Sequence, residues 1–235
     1  MIQTQSVTIP LPEKKGRALD AFLAMPQTQT QIPTRGVLVL HEAYGLNENI
    51  KNIARRFAEN GYVALAVDLL SDGSRAICMF RAFYGLLAVP LKNGTVKNVR
   101  AAYEYLQKVE GVDAQRVGAI GFCMGGSYAL QLACLDGTVR AISIVSGQNP
   151  RPLDAVARAC PIVGSYPERD FTTGGGRELD KVLDEFKIPH EIKFYPDGIH
   201  SMFNDGAKGY SETVADDAWM RTLQFFDEHM RAQTA

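Results

Sequence analysis

One cysteine in this chain sits where a nucleophile would be made. In Arg116-Val-Gly-Ala-Ile-Gly-Phe-Cys-Met-Gly-Gly-Ser127, an apolar run leads into Gly121-Phe-Cys-Met-Gly125, and a helix-forming stretch follows at once. A G-x-nucleophile-x-G spacing at a strand-to-helix joint holds its central residue in a strained, tight turn, and the two glycines let neighbouring backbone come close. Cys123 would stand at a helix amino terminus, where the dipole and free N–H groups favour negative charge. The Met124 N–H would point at an oxyanion formed by attack on a carbonyl. A buried cysteine at a Gly-rich joint of a non-enzymatic domain shares the bare pattern; the flanking strand, helix and extra Gly126 favour the nucleophile.

With such a turn, the acid and then the histidine follow the nucleophile in sequence. His41 precedes Cys123 and drops out on order, His190 comes just before a strand, and His229 lies in the last helix. His200, in Tyr195-Pro-Asp-Gly-Ile-His-Ser-Met-Phe203, follows the carboxyl end of a strand and is the expected general base and acid. The orienting acid is expected in Tyr166-Pro-Glu-Arg-Asp-Phe171, with Asp170 preferred to Glu168 because the shorter side chain suits a fixed orienter. Asp197 is read as shaping the Pro-Asp-Gly turn. On the opposite wall, His41-Glu-Ala-Tyr-Gly-Leu-Asn47 follows an apolar strand, with Ala43 the expected second oxyanion N–H. Glu42 is a carboxylate within reach of the cysteine sulfur: charged it would repel a thiolate, protonated it could donate to it.

These groups need a scaffold that brings several strand ends together. Gly36–Leu40, Tyr62–Val67, Arg116–Ile120, Val139–Val145, Pro161–Ser165 and Glu191–Tyr195 read as buried strands. Helical spacing is predicted over Asn47–Asn60, Thr95–Val109, Gly126–Cys134, Arg177–Phe186 and Thr213–Met230. Gln5–Ile9 and Leu19–Ala24 read as antiparallel strands at an edge. The alternation implies a mostly parallel sheet with helices on both faces, and together with the nucleophile turn it points to an α/β-hydrolase fold. Residues 1–235 are expected to form one domain. The apolar stretch Ile77–Pro90, within 69–94, is read as one or two short helices covering a pocket, extra core packing being the alternative. Thr28–Pro33 is read as a polar loop, and Gly174-Gly-Gly176 as a loop that is no phosphate cradle, since no Gly-Lys-Ser/Thr follows.

A net charge of −1 gives no electrostatic reason to expect nucleic acid or an anionic membrane as partner. No apolar run is long enough to span a bilayer, and the amino terminus does not read as a signal peptide, so a cytoplasmic address is expected. Cys78, Cys123, Cys134 and Cys160 form no metal-spaced cluster and are read as free thiols; no metal is expected. Monomer and homodimer both stay open.

Taken together, the motifs resemble the dienelactone hydrolase family. Gly121-Phe-Cys-Met-Gly-Gly126 is similar to its nucleophile motif, and His41–Asn47 to its glutamate-bearing loop. Gly164–Asp170 and Gly198–Phe203 resemble its acid and histidine loops. The resemblance runs from about Ala18 to the last helix. It implies a Cys123–His200–Asp170 triad that cleaves a small ester or lactone without a cofactor, with Glu42 holding the resting thiol. The chain departs from the family where members that cleave dienelactone carry an arginine shortly after the histidine: Ser201, Met202, Phe203 and Asn204 stand here. An uncharged ester or lactone is therefore the expected substrate. Acyl transfer to an acceptor other than water, or a non-catalytic binding or thiol redox-sensing module, are the rival readings.

Overall fold

The computed structural model describes residues 1–27 and 33–231; most of the polar loop expected over Thr28–Pro33 lies outside them. Eight strands form one sheet: β1 (Ile2–Pro10), β2 (Ala18–Pro26), β3 (Thr34–Leu40), β4 (Val63–Val67), β5 (Val112–Phe122), β6 (Ile142–Val145), β7 (Ile162–Pro167) and β8 (His190–Tyr195). Their order is β1-β2-β4-β3-β5-β6-β7-β8. β1 and β2 are antiparallel and β2 runs antiparallel to β4, while the six strands from β4 to β8 are parallel. This is the α/β-hydrolase fold expected from the strand–helix alternation.

The helices are α1 (Glu48–Glu59), α2 (Arg75–Leu87), α3 (Gly94–Leu106), α4 (Met124–Leu135), α5 (Thr173–Glu185) and α6 (Glu212–His229). Alternate residues of β3 feed opposite cores. Leu38 and Leu40 pack with α3 and α4 through Val99, Tyr103, Tyr128 and Leu132, whereas Val37 and Val39 pack with α1 and α6 through Ile53, Phe57, Trp219 and Phe226. With both faces covered, the strand reads as an unbroken apolar run, and burial of each such side chain contributes about 1.5–3 kcal/mol.

One sequence expectation shifts and another narrows. Gly174-Gly-Gly176 is not a loop but the first turn of α5. Glycine is a poor helix former, yet Gly176 lies against the Tyr166 ring, where a Cβ would stand 2.9 Å from a ring atom. Close packing on β7 outweighs local propensity there. The 69–94 stretch forms one regular helix, α2, ahead of the start of α3. Asp72, 1% exposed, ties the segment down by pairing with Lys14, Arg17 and Arg81 and accepting from Asn98.

Candidate active site

Because β3, β5, β7 and β8 are parallel, the residues that follow each of them emerge at one edge of the sheet. His41 follows β3, Cys123 follows β5, Asp170 lies three residues past β7, and His200 five past β8. Topology alone thus collects side chains up to 159 positions apart, as the Ser201–Glu42 contact shows.

At the β5–α4 joint, Cys123 has φ 52° and ψ −113°, a left-handed conformation that a side-chain-bearing residue adopts only when its surroundings enforce it. A Cβ on Gly121 would run into the Gly125 carbonyl, and one on Gly125 into the Leu40 carbonyl, so both flanking positions demand glycine. The Cys123 N–H donates to Val145 O at 2.8 Å, and Ser127 donates to Cys123 O through its N–H at 3.1 Å and its hydroxyl at 3.3 Å. The turn is therefore held from both sides.

His200 Nδ1 lies 3.0 Å from Asp170 Oδ2. Cys123 is near enough to act on the His200 charge. Burial works against an imidazolium here, but the hydrogen bonds and charges of Cys123 and Asp170 outweigh it and push the His200 pKa up to about 9. Asp170 Oδ2 also accepts from the N–H and hydroxyl of Thr172. Burial raises the Asp170 pKa, and the bonds from Thr172 and His200 more than reverse this, leaving it below the usual carboxylate range. Glu168 points elsewhere, paired with Arg177. Phe171 stacks on the His200 ring at 4.7 Å between centroids and 27° between planes. The other histidines are remote from this cluster or otherwise engaged: His190 bonds Ile188 O at the start of β8, and His229 packs on Phe225.

The loop after β3 is pinned by residues that sequence order had set aside. His41 is fully buried; its Nε2 accepts from the Leu69 N–H at 2.9 Å and its Nδ1 bonds the Glu42 carbonyl. Arg75, the first residue of α2, donates to Tyr44 O at 2.8 Å. Gly45, at φ 80°, leaves the space that the Arg75 guanidinium fills. Among the described residues, neither the Ala43 nor the Met124 N–H donates in a backbone hydrogen bond outside the regular helices and strands. Glu42 is 6% exposed and accepts from the Ser201 hydroxyl at 3.2 Å. Its burial raises the carboxyl pKa, against the lowering effects of Ser201, His200 and His41.

Sequence order thus singled out Cys123, His200 and Asp170, which the fold brings together, and Glu42 beside them. It missed His41, Arg75, Phe171, Thr172 and Ser201 as supports. His41, Phe171 and Ser201 had a usable signal, each standing next to a selected residue. A depression of about 250 Å³ lies beside α2, bounded by Leu69, Phe80, Tyr84 and Asn98; Cys123 is not in its wall. Among the described residues no group of three or more His, Cys, Asp or Glu side chains is placed to hold a metal, and no helix is long and apolar enough to cross a membrane.

This arrangement can be set beside known proteins. The model of the dienelactone hydrolase family matches residues 19–230. A Saccharolobus solfataricus protein, provisionally named carboxymethylenebutenolidase, is 32% identical over 91% of this chain and 95% of its own length. The fold is similar to the crystal structure of P91, a dienelactone hydrolase-like promiscuous phosphotriesterase from metagenomic libraries, with a TM-score of 0.83–0.84 across such neighbours and 0.84 for P91 itself, 22% identity, and 98% and 99% of the two chains covered. It is also similar to dienelactone hydrolase from Anabaena variabilis, with a TM-score of 0.71, 18% identity, and 98% and 99% covered. Matched over nearly its whole length by the family model, the chain belongs to the dienelactone hydrolase family.

Proposed function

We propose that this hydrolase cleaves a small ester or lactone through a thioacyl-enzyme, with Cys123 as nucleophile, His200 as base and acid, and Asp170 as orienter. The observation that carries the reading is the position of His200, bonded at Nδ1 to Asp170 at 3.0 Å and close enough to Cys123 for the thiol to favour its charged form. A neutral imidazole so oriented carries its proton on Nδ1 and offers Nε2 to the thiol.

In acylation the thiolate sulfur bonds to the substrate carbonyl carbon, the carbonyl oxygen becomes an oxyanion, and the Ala43 and Met124 N–H groups receive it. The carbon–oxygen bond then breaks, and the leaving oxygen takes the proton from the His200 imidazolium. In deacylation His200 removes a proton from water, the new oxygen–carbon bond forms, and the sulfur–carbon bond breaks. Glu42, buried and hydrogen-bonded by Ser201, serves as a resting neighbour of the thiol in the neutral form that burial favours. Residues 1–235 act as one domain, with 69–94 as the cover of the substrate pocket.

Turnover of p-nitrophenyl acetate, measured for the wild type, Cys123→Ala and His200→Ala beside a panel of short lactones, tests this. Loss of turnover in both variants is expected. Stoichiometric labelling of Cys123 without turnover, or activity indifferent to His200, would overturn the reading in favour of a binding or redox role.

A further inference from the structure

A groove of about 480 Å³ is lined by Phe171 and Thr172, the two residues that follow Asp170. Each wall is attached to a different member of the cluster. On one side Gln148 donates its N–H to Ser127 Oγ at 2.8 Å, and that hydroxyl in turn donates to Cys123 O. On the other side Phe171 stacks on His200. Asn149 joins the two walls, its Nδ2 donating to Gly175 O at 2.9 Å and to Glu178 Oε2 at 3.1 Å. Leu87 of α2 lies at the rim.

The chemistry of the lining is specific. Gln148, Asn149, Arg151 and Glu178 offer two amides, one guanidinium and one carboxylate, so donors and acceptors are both present and formal charge cancels. The Asn149 Oδ1 is buried with no hydrogen-bond partner among the described residues, an acceptor still to be met. Arg151 makes no ion pair among the described residues, and Phe171 presents a ring that is 69% exposed. An exposed ring beside planar polar groups of both kinds suits a neutral, hydroxyl-rich molecule, whose C–H face packs on the ring while its hydroxyls both give and accept hydrogen bonds. An aliphatic chain would leave those polar groups unmatched.

The side of the cluster on which the groove opens says which part of the substrate enters it. His200 must lie against the leaving oxygen to protonate it, and the groove opens past the ring stacked on His200. We infer that the groove from Gln148 to Glu178 receives the leaving alcohol, and that this alcohol is a sugar or another polyol, so that the enzyme removes acyl groups from hydroxyl-rich esters. The inference rests on the hydrolase reading above and adds the substrate class.

The test compares kcat/KM for two acetates with the same acyl group, glucose 6-acetate and propyl acetate, in the wild type and in Gln148→Ala, Arg151→Ala and the double variant. All the substituted side chains lie at the surface of the groove, and none belongs to the triad. The wild type is expected to favour the sugar ester by about tenfold or more, as a site built to bond hydroxyls does. In the double variant the preference should collapse while propyl acetate turnover stays within about twofold, since only the sugar uses those side chains. Equal rates for the two esters in the wild type, or a preference that survives both substitutions, overturn the inference even if p-nitrophenyl acetate is still cleaved in a Cys123-dependent way. Absence of turnover on all three esters would instead remove the hydrolase reading on which it rests.

Discussion

The Ser201 hydroxyl donates to Glu42 Oε2 at 3.2 Å, linking the residue after His200 to the loop that follows β3. Burial holds the Glu42 pKa above its ordinary value, and this hydrogen bond pulls against burial. A protonated Glu42 places no like charge beside a Cys123 thiolate. In Ser201→Ala the lowering contact is gone, so the Glu42 carboxyl should titrate at still higher pH. A ¹³C NMR titration of the Glu42 carboxyl reads this directly, and an unchanged midpoint would count against the contact. The lost hydrogen bond should also lower stability by about 0.5–1.5 kcal/mol in urea unfolding.

The proton on His200 depends on two partners. With its pKa raised to about 9, the imidazolium should persist well above the usual histidine range. In Cys123→Ala one raising influence disappears while burial, which lowers, remains, so the His200 midpoint should fall. The sign for stability follows: the contribution of this protonated histidine is complete below its unfolded value near 6.5 and fades as pH rises through about 9. ¹⁵N NMR of His200 in the two proteins, with unfolding measured at pH 6.5 and pH 9.5 (about half a unit beyond the midpoint), checks both statements.

Asp170→Asn should keep the fold but release the imidazole tautomer, lowering kcat on the order of 10²–10⁴-fold. Glu168→Gln, which breaks only the exposed pairing with Arg177, should leave kcat within about twofold, since surface ion pairs contribute little. Comparable losses in the two variants would mean that the acid has been misassigned.

Gly121→Ala and Gly125→Ala each push a methyl into a backbone carbonyl, which cannot swing aside as a side chain can. Destabilisation of about 1–3 kcal/mol or more is expected, together with loss of activity. Gly137→Ala, where the added methyl meets nothing within 4 Å, is the control and should be far milder. Guanidinium unfolding curves for the three variants decide the point.

A pH-dependent effect should also come from Asp170. Its carboxyl is held below the usual range by Thr172 and His200, so its stabilising contribution is present above the unfolded value of 3.8 and lost as pH falls through the lower folded one. Thr172→Val removes the hydroxyl donor but keeps the N–H, and should raise the Asp170 midpoint and shift acid unfolding to higher pH.

By itself the sequence determined the strands, most helix bounds, the glycine-flanked turn at Cys123 and the loops that carry Asp170 and His200. Those features are local or ordered. An apolar run covered on both faces, a glycine pair that must sit around a strained residue, and a fixed order of nucleophile, acid and histidine can all be read along one dimension. Tertiary structure decided which neighbours complete the site. His41 drops out by chain order as a base, yet fixes the loop after β3 because the segment leaving β4 brings the Leu69 N–H to its Nε2. Arg75 reaches Tyr44 across 31 positions and Ser201 reaches Glu42 across 159; adjacency to His200 marks Ser201, but nothing along the chain names either partner. The helical turn at Gly174–Gly176 belongs here too: at Gly176, packing against Tyr166 rewards the absence of a side chain, and that contact exists only once β7 and α5 have met.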